Sequence, residues 1–93
     1  MKREVLTGAE LDAAIAELDG WNVSDGMLRR EITAPSFLEG IALVEKIAHI
    51  AEDMDHHPDI DIRWRTLKIA LSTHDRGGIT DVDIEQARRV NAL

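Results

Sequence analysis

Apolar residues recur along this chain in two rhythms, and the alternation between the rhythms lays out the fold. Leu11, Ala14, Ile15 and Leu18 share one face of a helix. Ahead of them, Thr7-Gly8-Ala9-Glu10 reads as a capping box with Leu6 and Leu11 as its hydrophobic staple. Gly20 is placed to end that helix in a left-handed conformation. Trp21 and Val23 then alternate with polar residues as far as Asp25-Gly26, and Met27 to Thr33 forms a second run. Asp-Gly between two such runs signals a hairpin, because the tight turn needs positive φ.

Pro35 stops the second strand, and Ser36-Phe37-Leu38-Glu39 is a second capping box, opening a helix that runs to about Met54. Phe37, Ile41, Val44, Ala48 and Ala51 line one stripe of it, and Leu43, Ile47, Ile50 and Met54 line another beside the first. Together the stripes span roughly half the circumference, wider than a single sheet face covers, so the surplus is expected to meet another subunit. After Pro58, Ile60, Ile62 and Trp64 alternate with charged residues as a half-buried strand, and Leu67, Ile69 and Leu71 mark the next. Gly77-Gly78 breaks the chain. Thr80 and Asp83, stapled by Ile79 and Ile84, cap a last helix to about Val90. The order αββαββα predicts an α+β fold, with a four-stranded antiparallel sheet and three helices packed on one face.

Composition narrows the function. The 93 residues suit a single domain spanning 1–93, short enough that self-association would add useful core. A formal net charge of -7, with no basic run longer than Arg29-Arg30 or Arg88-Arg89, argues against direct nucleic-acid binding. Cysteine is absent, which removes thiolate nucleophiles, disulfides and cysteine-based zinc sites together. The opening residues have no apolar stretch of the signal-peptide kind, and no run approaches the ~18 residues of a membrane helix. A soluble cytoplasmic protein is expected.

The candidate chemistry is histidine. Of His49, His56, His57 and His74, the first lies on the polar side of its helix and reads as solvated. The other three sit at the ends of predicted elements, beside chain-breaking residues. His56 follows Glu52 by four residues, so that carboxylate is expected to reach its imidazole. Pro58 biases His57 toward extended backbone, which makes the two neighbouring rings diverge. His74 ends the last strand just before Asp75-Arg76-Gly77-Gly78, and Asp83 is placed to cap its helix and to orient His74 as well. Imidazole titrates near neutrality, so three rings around one pocket suit a reaction that needs one proton delivered and another removed. Three histidines also suit zinc, although HExxH is missing and vicinal histidines are awkward ligands for one ion, and surface histidines without a role are the third reading. Trp64 reads as core or as pocket wall. Gly77-Gly78 lacks the rest of a P-loop, and Asp55, Asp59 and Asp61 lack the glycine and glutamate of a calcium loop.

Glu52-Asp53-Met54-Asp55-His56-His57-Pro58, Trp64, Leu71-Ser72-Thr73-His74-Asp75-Arg76-Gly77-Gly78 and Asp83, taken together, resemble the pterin-4a-carbinolamine dehydratase family at its own separations. The likeness extends upstream through Leu18-Asp19-Gly20-Trp21 and Phe37. The resemblance implies the same αββαββα fold, assembly as a homodimer or homotetramer, and a small-molecule pterin substrate. It implies dehydration of 4a-hydroxytetrahydrobiopterin, or a related reduced pterin, to the quinonoid dihydropterin, with no metal or redox cofactor. By the same analogy His56 and His74 form the acid–base pair and His57 chiefly holds the pterin. Asp55, Ser72, Thr73 and Asp75 would frame the substrate, Glu52 and Asp83 would fix imidazole tautomers, and Trp64 would support the pocket. The fold also serves non-catalytic binding roles, as a transcription-factor dimerisation partner and in carboxysome assembly. Ile32, Ala34 and Gly40 depart from the family's common residues.

Overall fold

A computed structural model describes residues 1–93. Helix α1 spans Gly8–Ala16, strands β1 and β2 span Trp21–Ser24 and Met27–Thr33, and helix α2 spans Phe37–Met54. Strands β3 (Asp59–Arg63) and β4 (Thr66–Leu71) follow, then a 3-10 turn at His74–Arg76 and helix α3 at Asp81–Asn91. The strands form one antiparallel sheet in the order β1-β2-β4-β3.

The alternation in β4 explains the layering. Leu67, Ile69 and Leu71 are fully buried and meet Leu28 of β2, Ile47 of α2, and Ile84, Ala87 and Val90 of α3 in one apolar cluster. The intervening Thr66, Lys68 and Ala70 face the open side, in register with Glu31 and Arg29 of β2 and with Asp59 and Asp61 of β3. The expected helices-on-one-face arrangement is therefore the observed one. No helix is long and apolar enough to cross a membrane.

Three local expectations change. Helix α1 stops at Ala16, and the Thr7 hydroxyl caps nothing, so the first capping box does not form. Leu18 and Asp19 instead lie in a turn that Gly20, at φ +83°, bends into β1. There Asn91 of α3 pins the hairpin, accepting from the Trp21 indole at 2.8 Å and from Arg30, and donating to the Asp19 carbonyl at 3.1 Å. At α2 the Ser36 hydroxyl accepts from the Glu39 N–H but donates to the Glu39 carboxylate, so only half of the expected box forms. Strand β3 ends at Arg63, because the pairing of Arg63 with Thr66 leaves just Trp64 and Arg65 to make the turn. Trp64 takes the positive φ that the turn requires, at +52°, and its side chain is 73% exposed. It is neither core nor pocket wall, and stacks on the Arg65 guanidinium.

The apolar face of α2 divides along its length and not between its two stripes. Ile47, packed with the strand residues, and Ala51 are buried, whereas Phe37, Ile41 and Leu38, the last outside both stripes, are exposed. Gly40 is buried on the side of α2 that faces Ile62 and Leu67 of the sheet. A Cβ there would sit 3.4 Å from Ile62 and Leu67 and 3.6 Å from Ala34, ordinary packing distances. Gly40→Ala is therefore expected to stabilise the fold by about 1 kcal/mol, through helix propensity and the added contacts. Urea denaturation checks this, and a lower midpoint would show that the site cannot hold a methyl group.

Candidate active site

Asp83 is the centre of the site. It is completely buried in the first turn of α3, and an ionised carboxylate survives there only if its oxygens are supplied with donors. Oδ2 accepts from the Thr80 N–H and from the Thr73 hydroxyl, both at 2.9 Å. Oδ1 lies 2.6 Å from His56 Nε2. The Thr73 hydroxyl spends its proton on Asp83, so at 2.8 Å the Thr80 hydroxyl donates to Thr73. Thr80 in turn accepts from the Val82 N–H at 3.3 Å. Every donor in this chain points toward the carboxylate, which fixes the His56 tautomer with its proton on Nε2.

The main chain of His56 is held as firmly as its ring. The left-handed cap at Asp55 ends α2, with φ 48° and ψ 46°, and the His56 N–H donates to the Ala51 carbonyl at 3.0 Å. One helical turn beyond Asp83, the buried Gln86 amide donates to the His56 carbonyl at 2.6 Å. Helix α3 thus grips one residue at two points. Gln86 went unnoticed in the sequence, although its place three residues after Asp83 puts both on one helix face.

His57 turns to a different partner from that of His56. Its Nε2 lies 2.5 Å from Glu52 Oε2, and both side chains are more than half exposed. The carboxylate partners are thus the reverse of those expected: Glu52 serves His57 rather than His56, and Asp83 serves His56 rather than His74. The left-handed turn at Asp55 is the reason, since it swings His56 under α3 and leaves His57 above Glu52. His74 begins the 3-10 turn, exposed, with Ser72 Oγ 3.4 Å from its Nδ1. The link from His56 through Asp83 to Thr73 ends one residue before it, so a run of two hydrogen bonds joins the His56 ring to the residue beside His74.

Asp55, Ser72 and Asp75 remain accessible around these rings, and Asp75 pairs with Arg3 at 2.7 Å. Thr73 is fully buried, so it supports Asp83 and is not open to a ligand as expected. Trp64 precedes β4 while His74 follows it, so roughly 20 Å of strand separates them and Trp64 takes no part in the site. His49 is exposed beside Glu45, as expected. No three His, Asp or Glu side chains gather in a metal-binding group. The two main concavities lie elsewhere. One, of about 590 Å³, is on the open face of the sheet around Arg29, Asp59, Lys68 and Ala70. The other, of about 330 Å³, is bounded by Arg3, Met54 and Arg89. His57 and His74 are exposed, whereas the His56 ring is largely covered.

The sequence profile described as pterin 4 alpha carbinolamine dehydratase matches residues 4–93. The chain belongs to that family. A relative from Mycobacterium avium (strain 104), carrying the provisional name pterin-4-alpha-carbinolamine dehydratase, is 56% identical over 89 residues, 96% of this chain and 95% of the relative. Among solved dehydratase-family structures, a transcriptional coactivator/pterin dehydratase from Brucella melitensis superposes with a TM-score of 0.92 at 32% identity, covering 96% of this chain and 97% of the other. A pterin dehydratase-like protein identified as a RuBisCO assembly factor in the alpha-carboxysome superposes at 0.63 with 22% identity, covering 77% and 83%, and shares the fold.

Thr73→Val keeps the shape of this dehydratase-family side chain but leaves Asp83 Oδ2 one donor short. It is expected to cost about 1–3 kcal/mol of stability. Thermal unfolding of the variant measures this, and an unchanged midpoint would mean that the threonine chain does not support the carboxylate.

Proposed function

We propose that this chain removes water from a 4a-hydroxytetrahydropterin, 4a-hydroxytetrahydrobiopterin or a close relative, to give the quinonoid dihydropterin. The observation that carries the reading is the buried Asp83 that orients His56 while tying down the residue beside His74. Loss of hydroxide from C4a is driven by the N5 lone pair, so the departing oxygen takes up a proton and N5–H gives one away. The net change is one water, with no oxidant or reductant involved. With Nε2 committed to Asp83, His56 works through Nδ1, and His74 is its acid–base partner. His57, held by Glu52, binds the pterin together with Asp55, Ser72 and Asp75. Each placed acid or base contributes about 10²–10⁴-fold, sufficient for a carbinolamine whose leaving group needs only protonation. On this reading the enzyme acts in the cytoplasm, in tetrahydrobiopterin recycling.

The exposed apolar residues Phe37, Leu38 and Ile41 support a homodimer or homotetramer built on α2. They also favour a second reading, a protein-binding module on the same fold, which predicts no effect of the histidines on any pterin.

Incubation with enzymatically generated 4a-hydroxytetrahydropterin is expected to show accelerated loss of water, with His56→Ala and His74→Ala each slower by at least about tenfold. His57→Ala raises KM more than it lowers kcat. Unchanged rates in both of the first two variants would remove the catalytic assignment. Sedimentation velocity is expected to find an oligomer that Leu38→Glu with Ile41→Glu converts to monomer, and a monomeric parent chain would rule the α2 interface out.

A further inference from the structure

The segment ahead of α1 lies across the loop that carries His74. The backbone N–H groups of Lys2 and Arg3 donate to the two carboxylate oxygens of Asp81, each at 3.1 Å. Val5 pairs with Thr80 as a β-bridge, and the Leu6 N–H donates to the Ile79 carbonyl at 2.8 Å. The Arg3 guanidinium then reaches Asp75, inside the 3-10 turn, at 2.7 Å. Contacts that join positions 72 to 79 residues apart are long-range tertiary ties and not local turn geometry.

Two features show how tightly this segment is seated. Arg3 holds a left-handed φ of +56°, a conformation costly to arginine that persists only where the surroundings over-determine it. Asp81 supplies that constraint by gripping two successive N–H groups. At Gly78 a Cβ would lie 3.0 Å from Val5 Cγ1, so the segment is packed directly on the loop. The same Gly78 returns a hydrogen bond to Thr73, accepting its N–H at 2.9 Å.

His74 needs such help. Whereas Asp83 fixes the His56 ring directly, the His74 ring meets only Ser72 at 3.4 Å, on a three-residue turn with no side-chain cap. Arg3–Asp75 is the one side-chain hydrogen bond or ion pair that reaches residues 74–76 from outside their own loop. We infer that Met1–Leu6 is a positioning strap for His74, with Arg3 as its decisive residue. The inference rests on the acid–base role proposed for His74.

Arg3→Met keeps the aliphatic stem and removes the charge. It is expected to lower kcat about tenfold, the pattern of a misplaced acid–base group, while KM rises by a smaller factor through the freed Asp75. Arg3→Lys recovers most of the loss, and Asp81→Ala, which frees the strap without touching the guanidinium, reproduces it. Because the Arg3–Asp75 pair is exposed, about 1 M salt screens it and brings the parent's rate toward that of Arg3→Met. In NMR spectra the His74 ring resonances shift or broaden in Arg3→Met while those of His56 hold. Equal kcat with an unmoved His74 ring overturns the strap, and so does a change that spreads equally to His56, which would indicate general loosening. A parent chain that turns over no pterin carbinolamine defeats the dehydratase reading instead. The His74 ring comparison then decides the strap alone, and an unaltered ring overturns it.

Discussion

A carboxylate sealed from water at the start of α3 is the constraint around which the rest is arranged. Asp83 must collect donors or lose its charge, and it collects them from three directions: its own helix cap, the end of β4, and the ring at the end of α2. Each donor fixes a different element. Removing one donor leaves a buried acceptor unsatisfied, which costs about 1–3 kcal/mol, and more for a charged group. The residues that hold the fold together at this point are therefore the same ones that orient the chemistry, and a change here alters both.

The two carboxylate–histidine pairs differ in kind. His56–Asp83 is nearly dry, with side-chain exposures of 11% and 0%, and its geometry is set by α3. His57–Glu52 is wet, at 59% and 73%, and free to rearrange around whatever approaches it. A fixed pair beside an adaptable one suits a site where one group must be accurately placed and another must follow a ligand. The left-handed residue Asp55 creates the difference by sending successive side chains to opposite environments.

Much of this architecture was legible because periodicity and punctuation agreed. The Asp25-Gly26 turn, the α2 boundary at Met54 and the Thr80–Asp83 capping box are local features, and each appears as read. The participants in the carboxylate–histidine pairs were legible too, since Glu52, His56, His57 and Asp83 do form two such pairs at the end of α2 and the start of α3. The pairing among them was not. Spacing of four residues favoured Glu52 with His56, but that rule assumes continuous helix, and the chain has already left the helix at Asp55. Trp64 failed for a related reason: alternation carries a strand pattern forward until hairpin register cuts it off, and register is a tertiary fact. Family resemblance offers Thr73 to a ligand and assigns no role to Gln86 or Arg3, because what each of them holds lies on a different element of the chain.

Helix α1 stands apart from this economy. None of its residues is buried, its N-terminal hydroxyl caps nothing, and the segment before it is anchored independently at Ile79, Thr80 and Asp81. It therefore behaves as a bridge between two fixed points, one at Leu6 and the other at Leu18. Leu11, Ala14 and Ile15 pack its inner face against the core, so random substitution should accumulate with little consequence only across its outer surface.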